Sequence, residues 1–152
     1  MADTSLLENN IGLLIWKTST HWQSKLRKVL YPYHISLNEY LILQSINHLI
    51  KKKSNVFQNE ISKSVGLDIS VASVIFKSLE SKNYISREVN IDNRKKIIKI
   101  SENGRKIFEI LQPLVLNEEH LIFNKLNNET FNFKNSLKLL LGRKIRIKVS
   151  QK

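Results

Sequence analysis

QNEISKSVGLDISVASVIFKSLESKNYISREVNIDNRKKIIKISENGR, residues 58–105, is the stretch whose reading decides the fold. Its hydrophobic period changes along the way. Gln58–Val65 reads as a short helix with Ile61 and Val65 turned inward, and Gly66 supplies the left-handed residue that ends it. Asp68 stands where a helix is capped, and roughly Ile69–Lys82 places Ala72, Ile75, Phe76 and Leu79 on one helical face. Beyond Asn83 the period falls to two. Tyr84–Val89 and Lys96–Ile100 alternate, and the polar, turn-prone Asn90–Lys95 between them predicts a β-hairpin.

Outward from this centre the pattern is helical. Leu7, Ile11, Leu14, Ile15, Trp22, Leu26 and Val29 form a stripe at three/four spacing, so a long helix is expected over about residues 6–30. Tyr31-Pro32 ends it, because the residue before proline disfavours helix. Ser36 and Glu39 have the spacing of a capping box at the head of a second helix. Lys51-Lys52-Lys53-Ser54 reads as a polar loop. On the far side Ser101 caps a helix over about 102–126, containing Pro113, and a last helix is expected over roughly Glu129–Leu141. The tail from Gly142 carries Arg143, Lys144, Arg146, Lys148 and Lys152. Extra phosphate contacts and a solvated end are both compatible with it.

The resulting order is helix, helix, short helix, tight turn, helix, hairpin, long helix, helix. This is a mainly α chain whose middle is a winged helix-turn-helix. Such an arrangement presents its second short helix to the DNA major groove. Residues 77–105 hold eight cations against four acids, and Arg94-Lys95-Lys96 lies at the wing tip, where phosphates would be met.

Composition limits the alternatives. The 152 residues contain 25 Lys+Arg against 13 Asp+Glu, a formal charge of +12, and no cysteine. One ordinary domain fits that length. Without cysteine there is no disulfide framework, thiolate metal site or thiol catalysis. His21, His34, His48 and His120 lack metal-ligand spacing, and no nucleotide-binding loop or nucleophile motif occurs, so neither an enzyme nor a cofactor is expected. No apolar run spans a bilayer, and residues 1–5 lack a basic leader, so the reading is a cytoplasmic protein off the membrane. The basic excess fits a polyanionic partner. Drift in an A/T-rich coding sequence gives the same excess, since lysine outnumbers arginine 19 to 6.

The motifs quoted above resemble the multiple-antibiotic-resistance regulator (MarR) family of bacterial transcription factors over roughly residues 6–145. Gln58–Asp68 is similar to the family's first helix and turn, Leu79–Arg87 to the end of its recognition helix, and Asp92–Lys95 with Ile98–Arg105 to its wing and following helix. The resemblance implies that Asp92 orients the wing and Arg94 enters the minor groove. It also implies a homodimer built by the terminal helices (6–30 and 102–145) around a DNA-binding region at 36–100. A small effector would bind in a cleft near Trp16, Trp22, Tyr33, His34 and Tyr40, residues equally compatible with a core. One departure stands out. Ser70, Val71, Ser73, Val74, Lys77 and Ser78 occupy the recognition face where Thr or Arg is common in the family. The valines fit either thymine methyl groups or extra packing.

The expectation is a homodimeric, sequence-specific regulator of double-stranded DNA. It would act as a repressor at palindromic A/T-rich operators, with half-sites roughly one helical turn apart. The valine-rich face keeps a second class open, a nonspecific architectural or protein-docking module.

Overall fold

A computed structural model describes residues 8–92 and 94–143. Leu7 and the tail cations Lys144, Arg146, Lys148 and Lys152 lie outside the described residues.

Helix α1 spans Ile11–Leu30. It starts later than the stripe predicts because the Asn10 side chain accepts a hydrogen bond from the Leu13 amide at 2.8 Å, capping the helix there. At the other end Tyr31–Tyr33 tightens into a 3-10 turn, and His34 closes it with φ 56°. Helix α2, Leu37–Ile50, opens on the expected capping box. The Glu39 amide donates to Ser36 Oγ at 3.1 Å, and the Ser36 amide donates to Glu39 Oε1 at 3.0 Å.

Helices α3 (Gln58–Val65) and α4 (Ile69–Ser81) follow, joined at Gly66 with φ 77°. Strands β1 (Ile85–Val89) and β2 (Lys96–Ile100) pair antiparallel, with Ile85 opposite Ile100 and Val89 opposite Lys96. A further bridge joins Phe57 to Ile97, so β2 is paired on both sides.

Helix α5 runs Glu102–Phe123 and accommodates Pro113. It stops short of residue 126, because Asn124–Glu129 forms a 3-10 segment broken at Asn127 (φ 48°, ψ −122°). Helix α6 spans Thr130–Leu140.

The chain divides into two compact units, Met1–Leu116 and Asn117–Lys152. In the first, a core of Leu26, Leu30, Tyr40, Leu43, Ile46, Ile61, Phe76, Leu79, Ile98 and Leu111 ties α1–α5 to the hairpin. Tyr40 stacks on Phe108 with ring centroids 5.9 Å apart. In the second, no described residue is buried.

Candidate nucleic-acid interface

The turn at Gly66 sets the aim of α4. Its amide donates to the carbonyls of Ser62 and Lys63, and the Leu67 amide donates to Ser62 at 3.1 Å. These bonds satisfy the end of α3 and turn the chain at once into α4. Asp68 holds the cap position through its backbone, with no side-chain capping bond. Ala72, Phe76 and Leu79 anchor α4 in the core.

The opposite face is solvated. Ser70 and Lys77 are exposed, Ser73 is half-buried, and Val71 and Val74 are 44% and 67% exposed. Packing within the described residues therefore leaves much of both valines open to solvent. Ile69, the first residue of α4, is also 66% exposed, but helix geometry sets it well around the helix from the two valines. Ser78 belongs elsewhere: its hydroxyl donates to Glu39 Oε2 at 3.2 Å, facing α2.

The wing is ordered by its own backbone. The Asn90 amide donates to the Lys95 carbonyl and the Arg94 amide to the Asn90 carbonyl, both at 2.8 Å. Asn90 Oδ1 accepts from the Asp92 amide at 2.9 Å. The family resemblance implies an orienting role for Asp92; Asn90, whose short amide side chain favours such turns, is a further organiser that the sequence reading does not single out. Arg94 has φ 56°, a conformation that disfavours most L residues. The side chains of Arg94, Lys95 and Lys96 project at this exposed tip and, with Phe57, Gln58 and Asn59, line a cavity of about 250 Å3.

Other cations of the basic span are engaged within the fold. Lys99 pairs with Glu88 across the hairpin at 3.1 Å. Arg87 grips Glu80 with two bonds of 3.1 Å, and a third reaches Gln58 Oε1 at 3.4 Å, locking β1 to α4 and α3. The Arg87 hydrogen bond holds the Glu80 carboxyl below the usual carboxylate range. A depressed carboxylate contributes stability above that range and loses it as pH falls. Glu80→Gln should therefore cost about 0.5–1 kcal/mol at neutral pH, small because the carboxylate is half-exposed. The gap to the parent should close on acidification, as read from urea unfolding along a pH series. A gap independent of pH would mean that the pair's charge contributes nothing.

The aromatic residues do not gather into one cleft. Trp16 is 68% exposed, Tyr33 and His34 are exposed in the 3-10 turn, and Tyr40 is core. Trp16 and Trp22, six residues apart on one helix, point about 120° apart. Trp22 lines a cavity of about 610 Å3 with Leu41, Gln44, Ser45, His48, Ser64 and Val65. Among the described residues no group of three His, Cys, Asp or Glu could hold a metal ion, and no helix is long and apolar enough to cross a membrane.

This geometry has close counterparts. The chain superposes on MepR of S. aureus in complex with DNA with a TM-score of 0.79 and 21% identity, covering 89% of this chain and 96% of that one. CouR of Rhodococcus jostii, bound to p-coumaroyl-CoA, gives a TM-score of 0.78 and 20% identity over 93% and 98% of the two chains. A variant of E. coli MarR complexed with operator DNA gives 0.77 and 20% over 93% and 99%. The MarR-type winged-helix fold expected from the motifs is thus borne out. In sequence, the chain is 26% identical over 105 residues to the helix-turn-helix-type transcriptional regulator YdcH of Bacillus subtilis, spanning 68% of this chain and 71% of that one. The model of the transcriptional regulators SarA and Rot matches residues 25–111, from the second half of α1 through the winged helix into α5. Helix-turn-helix and wing lie wholly within that match, together with the first part of α5, and the chain belongs to the SarA/Rot family of transcriptional regulators.

Proposed function

We propose that this regulator works as a homodimer that reads palindromic, A/T-rich double-stranded DNA and represses transcription from it in the cytoplasm, with no catalytic step of its own. The observation that carries the reading is the division of labour on α4. Ala72, Phe76 and Leu79 are buried, while Ser70, Val71, Val74 and Lys77 face solvent on the chain that also exposes the wing cations. Methyl-bearing side chains complement thymine methyl groups, and serine hydroxyls bond bases or phosphates. Lys95 and Lys96 would grip the backbone, and Arg94, held by the turn that includes Asp92, would enter the minor groove.

Residues 36–100 would form the DNA-binding part of a single functional domain, with 6–30 and 102–145 for dimerisation. Helix α6 is 11 residues long and buries none of them, although Phe131, Leu137, Leu139 and Leu140 lie on it. Helices of that length are marginal alone in water. On α1, Ile11, Leu14, Ile15 and Trp16 are likewise exposed. A second copy of the chain would cover such surfaces. The cavity beside Trp22 supports a small effector that adjusts the spacing of the two α4 helices, as the coenzyme A thioester bound by CouR illustrates for that protein.

The exposed Ile69, Val71 and Val74 favour one other reading, an architectural or protein-docking module. Binding to selected and random duplexes across a salt series separates the two. Specific regulation requires a preference for the selected duplex, and equal affinity for all sequences would overturn it. Arg94→Ala should weaken operator binding by about tenfold while light scattering still reports a dimer. Unchanged affinity would remove the wing from the contact.

A further inference from the structure

We infer that the Lys51-Lys52-Lys53 loop is a second backbone-gripping element, continuous with the wing, that extends the footprint on duplex DNA; this rests on the DNA-binding reading above. The loop leaves the C-terminal end of α2, where the amides of Lys52 and Lys53 donate to the Leu49 carbonyl. All three lysines are exposed. The chain then runs into the side of the wing. The Ile98 amide donates to the Val56 carbonyl at 2.8 Å, and Phe57 bridges Ile97. Phe57 is the joint between loop and wing: Lys53 Nζ lies 5.9 Å from its ring centroid and Lys95 Nζ 5.4 Å. The two ammonium groups, one from each segment, are therefore no more than about 11 Å apart.

Charge accounts for the partner. Against Lys51, Lys52, Lys53, Arg94, Lys95 and Lys96 stand Glu60 beside the loop, Asp92 in the wing turn and Glu80, whose carboxylate feels the charge of Lys96. Glu60 pairs with Lys53. Lys51 and Lys52 have no ion pair among the described residues. One cation suffices to complement the negative end of α2. Three in a row beside a basic wing exceed that need and match a polyanion with regularly spaced charges. Duplex DNA carries one negative charge per ~1.7 Å of axis, and each phosphate neutralised releases counterions.

The test measures affinity for a random-sequence duplex of about 30 base pairs over a salt series, because counterion release does not depend on sequence. The double variant K51A/K52A leaves the Lys53–Glu60 pair in place. It should flatten the slope of log affinity against log salt by about 1–2, and K51A/K52A/K53A by about 2–3, at roughly 0.9 per lost contact. Affinity should fall by a similar factor on every sequence, and K51R/K52R/K53R should keep the parental slope. If the parent binds with a slope that R94A/K95A/K96A reduces but the loop variants do not, the inference is overturned and the lysines serve the end of α2 or an acidic protein. If the parent shows no salt-dependent duplex binding, the DNA-binding reading fails and the inference fails with it.

Discussion

Gly104→Ala is expected to destabilise the protein by about 3 kcal/mol, visible as a lower urea midpoint. The usual sign is the opposite, since alanine stabilises a helix interior by about 1 kcal/mol relative to glycine. Here a Cβ would lie 2.1 Å from the Tyr84 carbonyl oxygen and 2.8 Å from Ile100 Cγ1. The carbonyl cannot easily retreat. It accepts the Ser101 amide at 3.0 Å, while Ser101 Oγ donates to the Asn83 carbonyl and accepts the Gly104 amide. Overpacking must therefore push α5 away from the start of the hairpin, and wing position and stability should change together. An unchanged or raised midpoint would show that this junction yields without strain.

Lys82→Met is the second large expected loss, about 3 kcal/mol. Glu39 is a buried acid with its side chain 7% exposed. Lys82 Nζ lies 2.9 Å from Oε2 and 3.0 Å from Oε1, and donates to the His34 carbonyl at 2.6 Å. Without the ammonium, the carboxylate keeps the Ser78 hydroxyl and the Ser36 amide but no counter-charge, and desolvation then outweighs the remaining bonds. Removing both partners in Lys82→Met/Glu39→Gln should recover much of the loss, because a neutral amide needs no counter-charge. A double-mutant cycle on unfolding free energies measures the coupling, and additive losses would mean that the pair acts as two independent groups. The cluster joins the end of α4 to the start of α2 and to the turn that closes α1, so a loosened cluster also loosens the aim of α4.

The central fold was legible because its punctuation is local. Gly66 stands where a positive φ is needed, Ser36 and Glu39 cap reciprocally, and the change of period after Asn83 marks the hairpin. Helix ends outside it were less legible. The stripe beginning at Leu7 ran past Asn10, where one side-chain bond starts α1, and Leu126 stayed in phase although the backbone turns at Asn127. For the interface, the solvent-facing positions of α4 follow from its apolar phase. Arg87 and Ser78 were misleading for another reason: their partners, Glu80 and Glu39, were not predictable as contacts from residue type or spacing. Aromatic residues are poor guides to a cleft, because the same rings serve a core, as Tyr40 does against Phe108.

The bridge from Phe57 to Ile97 has a consequence for solubility. A two-stranded ribbon exposes two rows of unpaired backbone groups, and each is a template for pairing with another chain. With β2 flanked by β1 and, at Ile97 and Ile98, by the Val56–Phe57 segment, the longer open edge is that of β1, over five residues. That edge is short and carries Arg87 and Glu88 side by side. Short, charged edges resist strand addition, so the wing can stand out from the molecule without seeding aggregation.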